Sequence, residues 1–510
     1  MKKSRVFHPF LFVLYPVLFL YAHNKDQFHL KVIFAPLAVL SLFSLAVLWG
    51  LNRLMKDYHK TGIVLSAFFL LFFSFQHFFK TLERVQYIEW YIGTTRTVGF
   101  IFLVLFSLVC YVTARTQKNL DNFTAFANLI AAVLVVFSAV EIGAYEFNSW
   151  INLRKGHGPT GEKRISPEKL ASLPNIYYII LDAYTSGELL KKQHRYDNSA
   201  FINFLRKKGF YLAGKSQSNY IQTALSLSSS LNFDYLPGIL PDYDKLAETG
   251  DHAPLNKLIR YNRVSKVLKR YGYQTVAFET GYSITEIGNS DIYLAPETSL
   301  IDEFQMGLID TTVIPVLLKN VSNYYFETQR KRVLYTLSHL GGLTGFKKPT
   351  FVFAHLTCPH VPYVFGPNGE DGSQYKDKPN PQRYVYQVRY INQRMEKIID
   401  RILSNSKIPP VIVIQGDHGN GCGAFEAFTR KYLSSRFAIL NAYYLPGDGA
   451  ALLYENISPV NTFRVVLNKY LGTDFKLLRD EHFYSNYKNP YKFVKIKKQL
   501  LTPMEKYPYK

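Results

Sequence analysis

Five apolar runs crowd the first 150 residues, at about 9–22, 30–52, 62–79, 97–114 and 123–148. Most approach the roughly 20 residues that a helix needs to cross a bilayer. The sequence therefore predicts an N-terminal bundle of five transmembrane helices over residues 1–150. The first run is short and contains Pro16, which admits a cleaved signal sequence. No small-x-small cleavage site follows it, and four more apolar runs do, so an anchor is the expectation. In the short loops, Lys2, Lys3, Arg5, Arg53, Lys56, Lys60, Arg115 and Lys118 fall on one side, against Lys25, Lys80, Arg84 and Arg96 on the other. That asymmetry places the N-terminus in the cytoplasm. After five crossings the rest of the chain lies outside, giving a multi-pass protein of the cell (inner or plasma) membrane with an extracytoplasmic domain.

The formal charge of +22 raises nucleic acid as a partner, but the basic residues are dispersed. An exported domain rarely meets nucleic acid, so anionic lipid head groups or phosphorylated glycans are the expected partners. The basic tail from Tyr491 onward reads equally well as a solvated end or as membrane contact. Of three cysteines, Cys110 lies within a span. Only Cys358 and Cys422 are left for a disulfide in the exported part, too few for a disulfide framework.

Residues 151–174 lack apolar periodicity and are rich in Gly, Pro and charge, which reads as a linker; a globular domain is expected over 175–510. Its strands are "NIYYIIL" from Asn175, "TVAF" at 275–278, "TFVFA" at 350–354 and "VIVI" at 411–414. These runs do not alternate, as expected of parallel strands buried on both faces. Helical patterns separate them: "NSAFINFLRKKGF" before Gly209, one helix through "PLNKLIRYNRVSKVLKRYGY" ending at Gly272, and a long amphipathic helix in "YVYQVRYINQRMEKIIDRILSNS". Strands alternating with helices imply an α/β domain with a doubly wound, mostly parallel sheet. The chemistry of such sheets gathers at the carboxyl ends of the strands.

Those ends carry Asp182, Glu279, His355 with His360 beyond it, and Asp417-His418. Any one Asp there reads more readily as a turn or helix cap. A divalent ion, by contrast, needs carboxylates and imidazole converging from separate elements, which Asp182, Asp417 and His418 would supply. The segment "SNYIQTALSLSSSLNFDYLPG" offers Thr223, Ser226, Ser228, Ser229 and Ser230 as hydroxyl nucleophiles, and most of these must cap helices or bond to carbonyls. In "FAHLTCPHVPYVFGP", Pro359 and Pro362 break any helix, so His355 and His360 are both expected on a loop above the sheet edge. There they suit binding a phosphoryl oxygen or protonating a leaving group.

Taken in order, "NIYYIILDAYTS", "TALSLSSSL", "AHLTCPHVPY" and "VIVIQGDHG" resemble the signature segments of the sulfatase-like branch of the alkaline phosphatase superfamily. The anchor with an exported domain is similar to lipoteichoic acid synthases and phosphoethanolamine transferases. By position, the resemblance implies that Asp182 is the first acidic metal ligand and that Thr223 is a threonine nucleophile that also touches the metal. Asp417 and His418 then match the paired late ligands, and His360 the histidine that contacts substrate or a second metal, with His355 assisting. Three departures shape the reading. The Cys/Ser-x-Pro-x-Arg nucleophile segment of formylglycine sulfatases is absent from 218–238, Asp182 is followed by Ala183 where many sulfatases have a second aspartate, and no histidine follows Asp417-His418 in "NGCGAFEAFTRKYLSSRF". The last points to one firmly held ion (Mn, Mg or Zn) rather than two.

The resemblance thus implies metal-dependent transfer of a phosphoglycerol or phosphoethanolamine type head group from a membrane phospholipid donor to an envelope glycan or lipid acceptor, through a covalent threonine intermediate. The rival readings are a sulfuric or phosphoric ester hydrolase using the same site, and a non-catalytic envelope scaffold. A scaffold should have lost ligand positions, and here Asp182, Thr223, Asp417 and His418 are all in place.

Overall fold

The computed structural model describes residues 4–25, 28, 30–82, 86–87, 90–91, 95–155, 170, 172–240, 243–248, 250–296, 303–317, 321–421 and 428–502. Most of the expected linker, 156–169 and 171, lies outside the described residues, as does Cys422. The chain divides into two compact units: residues 1–160 with 299–325, and residues 161–298 with 326–510.

In the first unit the apolar runs form helices His8–Asn24, Phe34–Met55, Tyr58–Leu82, Thr95–Arg115 and Asp121–Lys155. Four of these regions are long and apolar enough to cross a membrane. The helix His8–Asn24 has 17 residues and Pro16 inside it. At 1.5 Å per residue it spans about 26 Å, less than the roughly 30 Å hydrocarbon core. Leu103, Leu129 and Phe137 point outward and are exposed, as befits helices whose surroundings are lipid rather than water. Inside, Val13, Val17 and Tyr21 pack with Leu65, Phe69 and Phe73, and Phe304 and Leu308 join the same cluster. Those last two belong to helix Glu303–Ile309, which lies far along the chain from the others.

The second unit is built on a seven-stranded mixed sheet. Its strands are β1 (Ile176–Leu181), β2 (Tyr211–Leu212), β3 (Gln274–Phe278), β4 (Ile292–Leu294), β5 (Thr350–Leu356), β6 (Val411–Gln415) and β7 (Asn441–Tyr444). Their spatial order is β2-β7-β6-β1-β5-β3-β4. The pairings β6-β1, β1-β5, β5-β3 and β3-β4 are parallel, and β7 runs antiparallel to both β6 and β2. The unbroken apolar character of β1 follows from its place at the centre. Ile176, Tyr178 and Ile180 enter one core while Tyr177, Ile179 and Leu181 enter another across the sheet. Helices cover both faces. Thr223–Ser230 and Pro459–Leu471 contribute buried residues to the first core, and the amphipathic Asn380–Asn405 lines the second.

The segment expected as one helix up to Gly272 is two, Ala253–Arg260 and Arg263–Arg270. Asn262 is the cause: its side chain accepts the Ser265 amide and starts a new helix, a local bond that outcompetes continuation. The strands β2, β4 and β7 were not expected. They are short, and polar residues such as Asn441 interrupt the apolar run that would reveal them.

Candidate metal centre

Parallel strands set the site. Because β6, β1, β5 and β3 are adjacent and run the same way, their carboxyl ends bring Asp417, Asp182, His355 and Glu279 to one edge of the sheet. Asp182 directly follows β1, and Asp417 is two residues past β6. His355 is not on a loop: it lies within β5, buried and in register with Ile180. His360 is on the loop beyond, partly exposed, with its ring 6.0 Å from that of His418.

Backbone geometry aims the two aspartates. Ala183 is held at φ 60°, a left-handed conformation that costs a non-glycine residue on the order of 1 kcal/mol. Its amide donates to Asp417 Oδ1 at 3.0 Å, and its carbonyl accepts the Tyr384 hydroxyl at 2.8 Å. The glycines around Asp417-His418 have a different reason. A Cβ on Gly416 would sit 2.4 Å from the Tyr184 carbonyl oxygen, and one on Gly419 would sit 2.1 Å from that of Ser435 and 2.5 Å from that of Ala438. The obstacles are backbone atoms and cannot swing aside. Gly419→Ala is therefore expected to destabilise the α/β unit by about 3 kcal/mol or more, while Gly345→Ala, with nothing within 4 Å, stays within about 0.5 kcal/mol of wild type. Denaturant unfolding of the two variants checks the contrast.

Asp182, Asp417 and His418 offer one ligand atom each, all within 4.8 Å of one another, and all three are buried. His418 Nδ1 lies 3.0 Å from the Gly419 carbonyl. Only a protonated nitrogen can use that acceptor, so Nδ1 carries the hydrogen and Nε2 presents its lone pair. On Nε2 converge Thr223 Oγ1 at 3.2 Å, Asp417 Oδ2 at 3.4 Å and Asp182 Oδ1 at 3.6 Å. His355 Nε2 lies 3.4 Å from Asp182 Oδ2, and its Nδ1 is 3.0 Å from Thr285 Oγ1.

Asp182 Oδ1 and Asp417 Oδ2 are buried without a hydrogen-bond partner among the described residues. Such orphaned acceptors are rare in folded proteins. Their charge balance is equally incomplete. Burial and then the neighbouring Asp182 push the Asp417 carboxyl up, while burial keeps His418 well below its usual range and hence neutral, Arg436 adding to the effect. Burial acts against the Asp182 carboxylate too, but His360, His355 and His418 together hold it below the usual carboxylate range. Two aspartates with unsatisfied oxygens facing one imidazole lone pair form a donor set that fits a divalent cation.

The hydroxyls of the helix Thr223–Ser230 separate clearly. Ser226, Ser228, Ser229 and Ser230 donate to the carbonyls of Asp417, Leu255, Asp234 and Leu227. Thr223, in the first turn of that helix, is the one whose hydroxyl meets the Asp/Asp/His group. All six residues singled out from the sequence (Asp182, Thr223, His355, His360, Asp417 and His418) thus occupy one end of the sheet.

Arg436 was missed. It lies 18 residues beyond His418, in a segment that contains no histidine, and its helix, Arg430–Phe437, shows no spacing that would mark it. Thr285 was missed because it belongs to a one-turn 3₁₀ helix after β3 with no periodic signal.

No protein-family model matches the chain, and no curated protein matches it in sequence. Solved structures do. The C-terminal periplasmic domain of EcEptC from Escherichia coli, solved as a zinc complex, is 12% identical, with TM-score 0.44, covering 65% of this chain and 94% of that one. The integral membrane lipooligosaccharide phosphoethanolamine transferase A of Neisseria meningitidis is 12% identical, with TM-score 0.38, covering 92% of this chain and 96% of that one. A Bacteroides fragilis protein assigned as a sulfatase, yidJ, is 14% identical, with TM-score 0.40, covering 65% of this chain and 84% of that one.

Proposed function

We propose that the protein is a membrane-anchored transferase that moves a phosphoryl-linked head group, of the phosphoglycerol or phosphoethanolamine type, from a membrane phospholipid to an envelope glycan or lipid. The observation that carries the reading is the convergence of one hydroxyl, Thr223 Oγ1, on the nitrogen of His418 that also faces Asp182 and Asp417.

Asp182, Asp417 and His418 would hold one divalent cation, manganese, magnesium or zinc. When bound, it supplies a Lewis acid that lowers the pKa of a nearby hydroxyl and offsets charge at phosphorus. Thr223, its proton released to water, forms a bond to phosphorus, and the bond from phosphorus to the diacylglycerol oxygen breaks. That oxygen leaves as an alcohol with a proton from His360. In the second half the acceptor hydroxyl returns a proton to His360 and attacks phosphorus, the bond from phosphorus to Thr223 Oγ1 breaks, and Thr223 recovers its proton from water. The His360 Nδ1 is engaged at 2.8 Å by the Val361 carbonyl, so Nε2 is the nitrogen left for this exchange. His355, between Thr285 and Asp182, keeps that carboxylate turned to the site.

Anchorage supports transfer over hydrolysis, because a lipid donor lies in the plane of the membrane that holds the enzyme. In this proposal His8–Asn24, whose 17 residues sit at the short end of the roughly 17–25 that span a bilayer, crosses with the four longer helices, which puts the N-terminus in the cytoplasm and the α/β unit outside it. Incubation of the full chain with phospholipid labelled in its head group, with envelope glycan and lipid present, is expected to place label on one of those acceptors. Release of the label only as free head-group phosphate would assign the site to hydrolysis instead.

A further inference from the structure

Arg436 is 8% exposed, yet among the described residues no carboxylate pairs with it. A buried guanidinium without a counter-anion is costly unless something else satisfies it. Backbone carbonyls do part of this. Nε donates to the Ile221 carbonyl at 2.9 Å and Nη1 to that of Gly419 at 3.3 Å. The Gly419 amide donates in return to the Arg436 carbonyl at 2.7 Å. These bonds pin the side chain between the segment leading to Thr223 and the residue after His418. The third contact is of another kind, since Nη2 lies 3.1 Å from His418 Nε2.

That nitrogen has one lone pair. The same atom faces Asp182, Asp417 and Thr223, so a cation held by these residues would use that lone pair and would leave the Nη2 hydrogens in need of another acceptor. The guanidinium stays put through its two carbonyls, aimed at the space beside Thr223. We propose that Arg436 is the anion-binding residue of the site: it donates from Nη2 to a non-bridging oxygen of the phosphate ester while Thr223 attacks. This rests on the phosphoryl-transfer reading above. Arg436 thereby supplies, as a fixed side chain, the positive charge that a second ion would otherwise bring to the phosphoryl group.

The test uses the full chain in detergent, loaded with divalent ion. Metal content is measured by elemental analysis, and binding of inorganic phosphate by titration calorimetry, in wild type, Arg436→Gln, Arg436→Ala and Arg436→Lys. The Gln variant retains an amide donor for the anchoring carbonyls, so it serves if the Ala variant fails to fold. Gln and Ala are expected to keep stoichiometric ion and to bind phosphate about 10- to 100-fold more weakly, the range for losing one charge-assisted hydrogen bond. Lys should fall between them and wild type, because it restores charge without the fork. Phosphate affinity unchanged in a folded, metal-loaded Gln variant would overturn the assignment of Arg436 and leave the transfer reading standing. Loss of the ion in that variant would also overturn it, making Arg436 a support for His418. A metal-loaded wild type that binds no phosphate would overturn both.

Discussion

Thr223→Ala is expected to abolish the covalent phospho-enzyme and to lower head-group transfer by roughly four orders of magnitude or more, as loss of a nucleophile does. Intact mass spectrometry after exposure to phospholipid reads the adduct directly. The substitution should leave the fold intact. Thr223 is the first residue of its helix, Gln222 occupies the capping position, and the hydroxyl points at His418 rather than bracing the backbone. Its removal is expected to cost no more than about 1 kcal/mol. Thr223→Ser, which returns the hydroxyl, should restore a measurable adduct. Alanine at any of the four serines of the helix should not remove the adduct, because their hydroxyls are committed to backbone carbonyls. A normal adduct in a folded Thr223→Ala variant would end the assignment.

The second large effect belongs to Asp417. Asp417→Asn keeps a side-chain oxygen for the Ala183 amide, so the turn that holds the site should survive. What is removed is the charge of the oxygen that has no partner, Oδ2. The variant is expected to lose its stoichiometric divalent ion and at least about 10³-fold in transfer rate. Stability should move the opposite way in the metal-free state. Burial and Asp182 both disfavour the Asp417 carboxylate, so neutralising it should raise the melting temperature of the chelated protein while erasing the increment that metal gives to wild type. Retention of one ion per chain by the Asn variant would show that the cation site lies elsewhere.

How far these features can be read from the sequence depends on whether the signal is local. The runs that became β1, β3, β5 and β6 declare themselves because strands buried on both faces need unbroken apolar residues, and the polar residue that ends each run then sits at the sheet edge. Asp182 and Asp417 were legible for that reason. Thr223 was legible only through the order of the motif segments, since composition treats it like its serine neighbours. Arg436 carries no such mark. Its importance comes from a helix that returns to the loop after His418, a contact set by tertiary packing alone. The left-handed Ala183 is similarly silent, because alanine has no preference for that conformation and only the Asp417 and Tyr384 bonds reveal why it is there.

The division of the chain also bears on how the protein can be taken apart. Residues 299–325 belong to the first unit, so the polypeptide passes between the two units three times. Phe304 rests against the rings of Tyr21 and Phe28 within that unit. A single protease nick in residues 156–169 therefore cuts the one covalent link to the N-terminal helices, and the packing of Phe304 and Leu308 in their cluster is the noncovalent hold that remains. A shortened gene beginning after the linker inherits Phe304 and Leu308 stripped of their greasy partners, and a water-soluble version calls for a short polar bridge in place of 299–325.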